Sequence, residues 1–578
     1  MPAVKRFLRV PAVAPASRGG LLILSLLIGL GAGLGAVAFR YMIKGITLAF
    51  TGFDDYSAAG HASNPHLPGL GRWFVVLAPV VAGLLYGPLV YRFAREARGH
   101  GVPEVMVAVA RQGGRIRPQV AVIKALASAL CIGGGGSVGR EGPIVQIGSA
   151  LGSTLAQRCH LDERRIKLLV ACGAAGGIAA TFNAPLAGVF FAMEIILRQW
   201  ATESFGMVVL SSVTASVIGR SIFGNHPFLS LPTFHVDHFV QYPLFAILGV
   251  LAGLVGVAFS RVLYAIEDAC DWAWRGPEWA RPAVGGVLLG ALLLILPEMY
   301  GVGYPVLGKA VAGGYAIAFL IALLVGKLLA CSLTIGIGGS GGVFAPSLFC
   351  GAMLGAAFGD IIHAAIPGDA GSLGAYALVG MGAVFAGAAR APITAIVILF
   401  ELTGEYSIVL PLMLAIALAT GVSNLVSHDT VYTRKLIRRG IDIDEPTDAA
   451  LRRRPARNFM AEPPEPVRLD NTVHEAAKRF VAMADSFLPV IDPDGHYLGI
   501  LAAHAVMDAL AAGEITTVEA LTADVEPIGP DDPVGDALRR LDHGDGAVPV
   551  TDADDLLLGW IRHRDILAAL SAIPVTHT

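Results

Sequence analysis

The chain has 578 residues, 54% of them hydrophobic and only 15% charged, with a mean hydropathy of +0.64. Soluble proteins average about 25% charged residues, so a soluble globular chain is excluded as the starting assumption and membrane insertion replaces it. The net charge of −3 offers no basic footprint for nucleic acid, and no nucleic-acid partner is expected.

Taken in chain order, Lys5, Arg6, Arg9 and Arg18 precede an uncharged run from Gly19 to Phe39. That run is too long for a signal peptide, and no small-residue cleavage site follows it closely. It reads as a retained first helix behind a basic cytoplasmic tail, residues 1–18. Further uncharged runs cover Trp73–Tyr91, Ala310–Gly326 and Tyr406–Ser427, each near the roughly 20 residues that span a bilayer. Shorter stretches such as Pro282–Pro297 predict tilted, broken or re-entrant helices, which survive only when buried in protein or lining a cavity. Arg434, Lys435, Arg438 and Arg439 close the last apolar region, and the positive-inside rule places that end in the cytoplasm as well. Composition changes sharply near residue 440. The expected organisation is a transmembrane domain over 19–439 in two halves (about 19–235 and 236–439), a linker over 440–455, two small soluble domains over 456–513 and 514–572, and a tail over 573–578. The six cysteines are scattered without a Cys-x-x-Cys pair and read as reduced packing residues. No metal site is read from the sequence.

Both regions repeat internally. Pro143 is followed at +5 and +9 by Gly148 and Gly152, and Pro346 at +5 and +9 by Gly351 and Gly355. Asn183-Ala184-Pro185-Leu186 precedes Glu194 by nine residues from its proline, and Arg390-Ala391-Pro392-Ile393 precedes Glu401 by the same interval. Matched Gly/Pro-interrupted segments in two halves point to a transporter site at the repeat interface. In the tail, Phe487–Asp492 leads to Gly499-Ile500 as Ala547–Asp552 leads to Gly559-Trp560. Each copy reads as helix, strand, turn, strand and helix, with Asp494-Gly495 and Asp554-Asp555 as the turns.

The segment Gly139-Arg140-Glu141-Gly142-Pro143 carries the chemistry. Pro suits the first turn of a helix, Gly lets a ligand approach the backbone, and the unsatisfied N–H groups and dipole of a helix start favour an anion. Gly99-His100-Gly101-Val102-Pro103 and Gly342-Val343-Phe344-Ala345-Pro346 offer two more such starts. Three of them converging near the midplane would solvate a bare anion without the tight binding of a full charge, which suits conduction. An ionisable group inside a membrane is functional by default. Glu141, itself an anion at a helix start, can compete with the transported anion for the same N–H groups, and protonation would remove the competition.

These residues resemble the CLC chloride channel/transporter family. The match comprises Gly99–Glu104, Lys124, Gly139–Pro143, Phe182–Gly188, Gly342–Pro346, Arg390–Pro392 and Tyr432 over roughly residues 20–439, and the tail resembles a tandem CBS pair. The resemblance implies an all-α, inverted-repeat membrane protein with tilted and broken helices, followed by a cytoplasmic α/β CBS pair. It implies a homodimer in the bacterial inner membrane with both termini cytoplasmic, moving chloride or other small anions. Glu141 would be the external gate. His100, Gly101, Val102, Arg140, Gly142, Val343, Phe344 and Tyr432 would line the anion site, and Lys124 would raise the local anion potential.

Two departures from the family pattern stand out. The serine that contacts the central anion is replaced by His100, which can still donate a hydrogen bond. The internal glutamate of proton-coupled members is replaced by Ile195, an alkyl group that cannot carry a proton, although Glu194 stands beside it. The expected function is therefore a gated anion pathway, passive or weakly proton-coupled, with coupling left to a proton path through Glu141 and Glu194 or to water. A stoichiometric chloride/proton antiporter is the alternative, and a CBS-regulated cation transporter is disfavoured by the lack of an intramembrane carboxylate cluster. No nucleophile–base pair suggests an enzyme. No cofactor is expected. In the second CBS copy, Gly559-Trp-Ile-Arg562-His-Arg-Asp565 keeps the ribose-binding aspartate of family nucleotide sites but replaces their hydroxyl residue with Arg562. Adenine-nucleotide binding through Asp565 and a dimerisation and packing role for the pair are both left open.

Overall fold

The computed structural model describes residues 17–200, 202–224, 241–366, 371–443, 452–483, 485–513, 517–542 and 546–572. Most of the expected N-terminal tail, the junction of the two halves, half of the linker and the last six residues lie outside them. The chain divides into two compact units, with the boundary between Ile441 and Asp442.

The first unit is helical throughout. Eight of its described helices are long and apolar enough to cross a membrane, among them α1 (Arg18–Thr51), α2 (Phe74–Phe93), α9 (Gln241–Ala273) and α16 (Val409–Val426). Others are short, as expected: α4 (Pro118–Gly133), α10 (Arg281–Ile295) and α15 (Pro392–Thr403). One uncharged run is not a single helix. Ala310–Gly326 is broken between α11 (Tyr304–Val311) and α12 (Ile317–Gly336) by a turn at Gly313, whose φ is +75°. An uncharged run reports hydrophobicity alone, and here the helix breaks inside it.

The glycine offsets find their reason in helix contacts. α5 (Glu141–Arg158) crosses α6 (Glu163–Phe182) so closely that a Cβ on Gly148 would lie 2.2 Å from the Gly173 carbonyl oxygen, and one on Gly152 2.1 Å from that of Leu169. In the other half α13 (Phe344–Ala365) crosses α14 (Leu373–Ala389) the same way, with Gly351 against the Gly380 carbonyl and Gly355 against that of Tyr376. Small residues let helices pack by backbone contact where lipid supplies no hydrophobic drive. α6 and α14 then end on left-handed caps, Asn183 (φ +59°) and Arg390 (φ +51°), and Pro185 and Pro392 start α7 (Pro185–Phe191) and α15. α7 runs on into a π-helical turn, Ala192–Leu197.

In the second unit each copy has the expected order. The first is α18 (Val473–Met483), β2 (Phe487–Ile491), β3 (Tyr497–Ala502) and α19 (Ala503–Ala511). The second is α20 (Val534–Asp542), β5 (Val548–Thr551), β6 (Leu557–Ile561) and α21 (His563–Ala572). Short strands β1 (Val467–Arg468) and β4 (Thr522–Ala523) flank the first hairpin in the order β1-β2-β3-β4, while β5 pairs with β6 and bridges Ile528 in parallel through Val550. Both hairpins carry a register shift at the equivalent place, Val490/Ile491 and Val550/Thr551, and turn through Gly495 (φ +97°) and Asp555 (φ +59°).

Gly148→Val should overpack the α5–α6 seam and cost roughly 1–3 kcal/mol or more. A lowered unfolding temperature in detergent would show it, and Gly351→Val should behave alike.

Candidate functional site

The three Gly/Pro helix starts do meet. α3 (Val102–Arg111), α5 and α13 begin side by side, and their approach loops are stitched by backbone hydrogen bonds. Gly139 N–H donates to the Gly342 carbonyl (2.7 Å) and Gly342 N–H returns to Gly139 (2.6 Å). Gly99 N–H donates to the Gly339 carbonyl (2.9 Å) and Gly341 N–H to that of Gly99 (3.3 Å). A Cβ at Gly142 would lie 2.0 Å from the His100 carbonyl oxygen and 3.0 Å from the Gly342 Cα, so these backbones touch only because glycine is there. Irregular backbone at membrane depth needs such internal satisfaction.

Glu141 is the first residue of α5 and 1% exposed. Its Oε1 accepts the Tyr304 hydroxyl at 2.7 Å, while its Oε2 has no hydrogen-bond partner. That oxygen lies over Gly139, where a Cβ would be 2.0 Å from it and 3.2 Å from the Ala345 Cβ. Any other side chain at 139 would evict the carboxylate. His100 is 1% exposed, stands edge-on to Tyr264 at 6.0 Å, and has neither ring nitrogen hydrogen-bonded. Val343 caps α13, and Phe344 packs within 4.4 Å (ring centroids) of Phe385 and 5.4 Å of Phe182. Val102, Val343, Phe344 and Tyr432 are all buried. Gly101 has φ +85° and abuts the Gly142 carbonyl and the Gln146 side chain.

The cations are used less directly than expected. Lys124 is fully buried and donates to the Ala97 (2.9 Å) and Gly99 (2.7 Å) carbonyls, so it holds the loop that carries His100. Arg140 lies over the Tyr304 ring at 5.0 Å. Lys435 reaches beneath Gly99 and pairs with Glu104 (3.3 Å), which also takes Arg439 (2.8 Å). Tyr304 and Gln146 belong to the site without any signal in the motifs that located it, and the pairing of Glu104 with Lys435 was not read from the segments that contain them. Only the repeat could have suggested Tyr304.

Glu194 and Ile195 lie elsewhere, on the π-helical turn after α7. Glu194 accepts the backbone N–H groups of Ile393 (3.1 Å) and Thr394 (2.8 Å) and the Thr394 hydroxyl (2.6 Å). Glu401, its repeat mate, accepts the N–H groups of Leu186 (3.0 Å) and Ala187 (2.7 Å). Each carboxylate thus caps the other half's helix start. Ile195 is 5% exposed.

In the second unit Asp565 is fully engaged by the residue that departs from the nucleotide pattern. Its Oδ2 accepts the Arg562 backbone N–H (3.0 Å) and Nε (2.7 Å), and its Oδ1 accepts Nη2 (3.1 Å). The other face of the Arg562 guanidinium holds Asp485 (2.9 Å), which Arg564 also reaches (2.6 Å). Asp492, Asp494 and His496 gather at the β2–β3 turn, where Asp492 raises the His496 imidazole by hydrogen bonding to its Nδ1. The same carboxylate accepts the backbone N–H groups of Asp494 and His496. These are the bonds of a closed turn.

A two-halved helical membrane unit whose Gly/Pro helix starts meet around a buried carboxylate, followed by a tandem α/β pair, defines the class: a membrane anion transporter with a C-terminal α/β module. Residues 82–424 match the voltage-gated chloride channel family and residues 456–512 and 515–572 match the CBS domain, so the chain belongs to the CLC family of chloride transport proteins and carries two CBS domains. It is 34% identical to a putative chloride channel protein, ClcB-like, of Ralstonia nicotianae over 72% of this chain and 96% of that one. It is 35% identical to the H(+)/Cl(-) exchange transporter ClcA of Vibrio parahaemolyticus over 61% of this chain and 76% of that one. Among solved structures it resembles a slow cyanobacterial Cl-/H+ antiporter, with a TM-score of 0.66 and 26% identity over 73% of this chain and 98% of that one.

Glu194→Ala should leave two helix-start N–H groups unpaired and cost about 1–3 kcal/mol, read as a fall in unfolding temperature with proton coupling unchanged. Lost coupling at an unchanged unfolding temperature would instead assign Glu194 to a proton path.

Proposed function

We propose that this protein exchanges chloride for protons through a pathway gated by Glu141. The observation that carries the reading is the state of that carboxylate. It is buried at the start of α5, with one oxygen held by a hydroxyl and the other unpartnered. An anion in that position occupies the helix-start field that a chloride would use, and a proton on it frees the field. The relatives named as exchange transporters support coupling. A passive pathway is the second reading. Ile195 favours it, since no carboxylate stands at that position and the neighbouring Glu194 is committed as a cap.

His100 takes the serine's place as hydrogen-bond donor to the anion; its two unpartnered ring nitrogens support this role. Backbone N–H groups near Gly101, Gly142, Val343 and Phe344 complete the anion's surroundings. We further propose a homodimer in the bacterial plasma membrane with cytoplasmic termini. The basic cluster after the last spanning helix, Arg434 to Arg439, supports that orientation. For the CBS pair we propose a packing role without an adenine nucleotide at Asp565, because the Arg562 guanidinium already fills the carboxylate's acceptor sites.

Reversal potentials of the purified, reconstituted chain under crossed chloride and proton gradients decide between the readings. A reversal that moves with the pH gradient is expected; one fixed at the chloride equilibrium potential makes the pathway passive. In the same assay Glu141→Gln should keep anion flux and lose its response to external pH, and His100→Ser should alter anion selectivity. Isothermal titration with ATP, ADP and AMP should give no heat, and Arg562→Thr should create binding by releasing Asp565 and restoring the hydroxyl.

A further inference from the structure

The second half repeats the scaffold that holds His100, and the repeat delivers a different residue to the pathway. Gly99-His100-Gly101-Val102-Pro103 is matched by Gly301-Val302-Gly303-Tyr304-Pro305, glycine for glycine and proline for proline. The backbones agree: φ is +77° and +85° at Gly99 and Gly101, and +63° and +88° at Gly301 and Gly303. Each loop is held by a fully buried lysine nineteen residues before the proline of the next helix start, Lys124 before Pro143 and Lys327 before Pro346. Lys124 donates to the Gly99 carbonyl (2.7 Å). Lys327 donates to the carbonyls of Gly301 (3.0 Å) and Val302 (2.9 Å) and to the Ser137 hydroxyl (2.9 Å), two residues before Gly139.

The first loop presents its backbone and His100 beside the start of α5. The second sends the Tyr304 hydroxyl to Glu141 itself. Tyr304 also forms part of the wall of an open cavity of about 480 Å³ that Arg40, Lys44 and Arg140 line together with Asp54 and Asp55. Tyr304 therefore joins the gate, through its hydroxyl, to this cavity's wall.

We propose that Tyr304 is the latch of the gate: its hydroxyl holds the charged form of Glu141 in the closed position, and Lys327 fixes the loop from which it does so. This rests on the reading of Glu141 as the gate. Tyr304 is a positioning residue, since it touches the gate and not the transported ion. A donor to a carboxylate stabilises the charged form over the protonated one. The other charged or titratable groups that face Glu141 are Arg140 on the residue before it, Lys327 on α12 and Tyr432 before the last short helix. Removing the hydroxyl leaves all three in place.

The test is chloride flux by the reconstituted full chain as a function of external pH, in wild type, Tyr304→Phe, Glu141→Gln and the double variant. With the latch removed, Glu141 takes up its proton more readily. The pH of half-maximal flux should rise by about one unit, a tenfold change in proton concentration. Glu141→Gln should be flat with pH, and the double variant should match it. Incorporating 3-fluorotyrosine at position 304, a stronger donor of nearly the same shape, should move the midpoint the opposite way and does not depend on Tyr304→Phe folding. Unmoved midpoints in both Tyr304 proteins, with Glu141→Gln flat, would overturn the latch and leave the gate standing. A pH response that survives Glu141→Gln would overturn the gate reading itself.

Discussion

The whole membrane unit depends on one constraint: three helix starts meet inside the protein, where their backbone groups must be satisfied internally. The reciprocal bonds between Gly139 and Gly342, and those joining Gly99 to Gly339 and Gly341, meet it with backbone alone. Everything nearby serves that junction. Glycine is needed at 142 because the His100 carbonyl occupies the space of a Cβ, and at 139 because Glu141 does. Behind the junction, α5 and α13 can reach it only by crossing α6 and α14 at backbone contact, which the paired glycines at 148, 152, 351 and 355 allow.

The same constraint explains how the cations are deployed. A bare ammonium beside the anion would bind it too tightly for transport. Lys124 and Lys327 instead spend their donors on carbonyl groups of the two matched loops. Their charge still contributes to the local potential, which falls off with distance, while their hydrogen bonds fix the loops. Burial of a charge is tolerable only when its donors are satisfied, and here satisfaction and loop positioning are one set of bonds. The internal repeat then assigns different tasks to equivalent places. Val102 of the first loop is an apolar wall residue, and its mate Tyr304 bonds the carboxylate.

Much of this was legible in the sequence because it is written in glycine and proline, whose backbone consequences are local. The starts of α3, α5 and α13, the halves' matched offsets, and the two CBS hairpins with their turns all follow from short motifs. What was not legible depends on distant partners. Ala310–Gly326 carries no charge, and nothing in its hydropathy marks the break at Gly313. Glu194 drew attention as a proton route because it stands beside Ile195; the partners that make it a cap, Ile393 and Thr394, lie two hundred residues away and could not be read from the sequence. Arg562 looked like a missing hydroxyl; its own bonds to Asp565 and Asp485 show a replacement that fills the site it alters.

The swapped caps bear on proton coupling. Glu194 and Glu401 each secure the start of a helix in the opposite half, so the two halves are tied by carboxyl groups that accept those N–H bonds. A residue that shuttles protons spends part of each cycle neutral, and a neutral Glu194 would weaken bonds to two backbone N–H groups at once. Structural and relay roles therefore compete at position 194, and Ile195 offers no second carboxylate to divide them. If protons cross this protein in exchange for chloride, the inner part of their route must be built from something other than a side-chain acid at this turn.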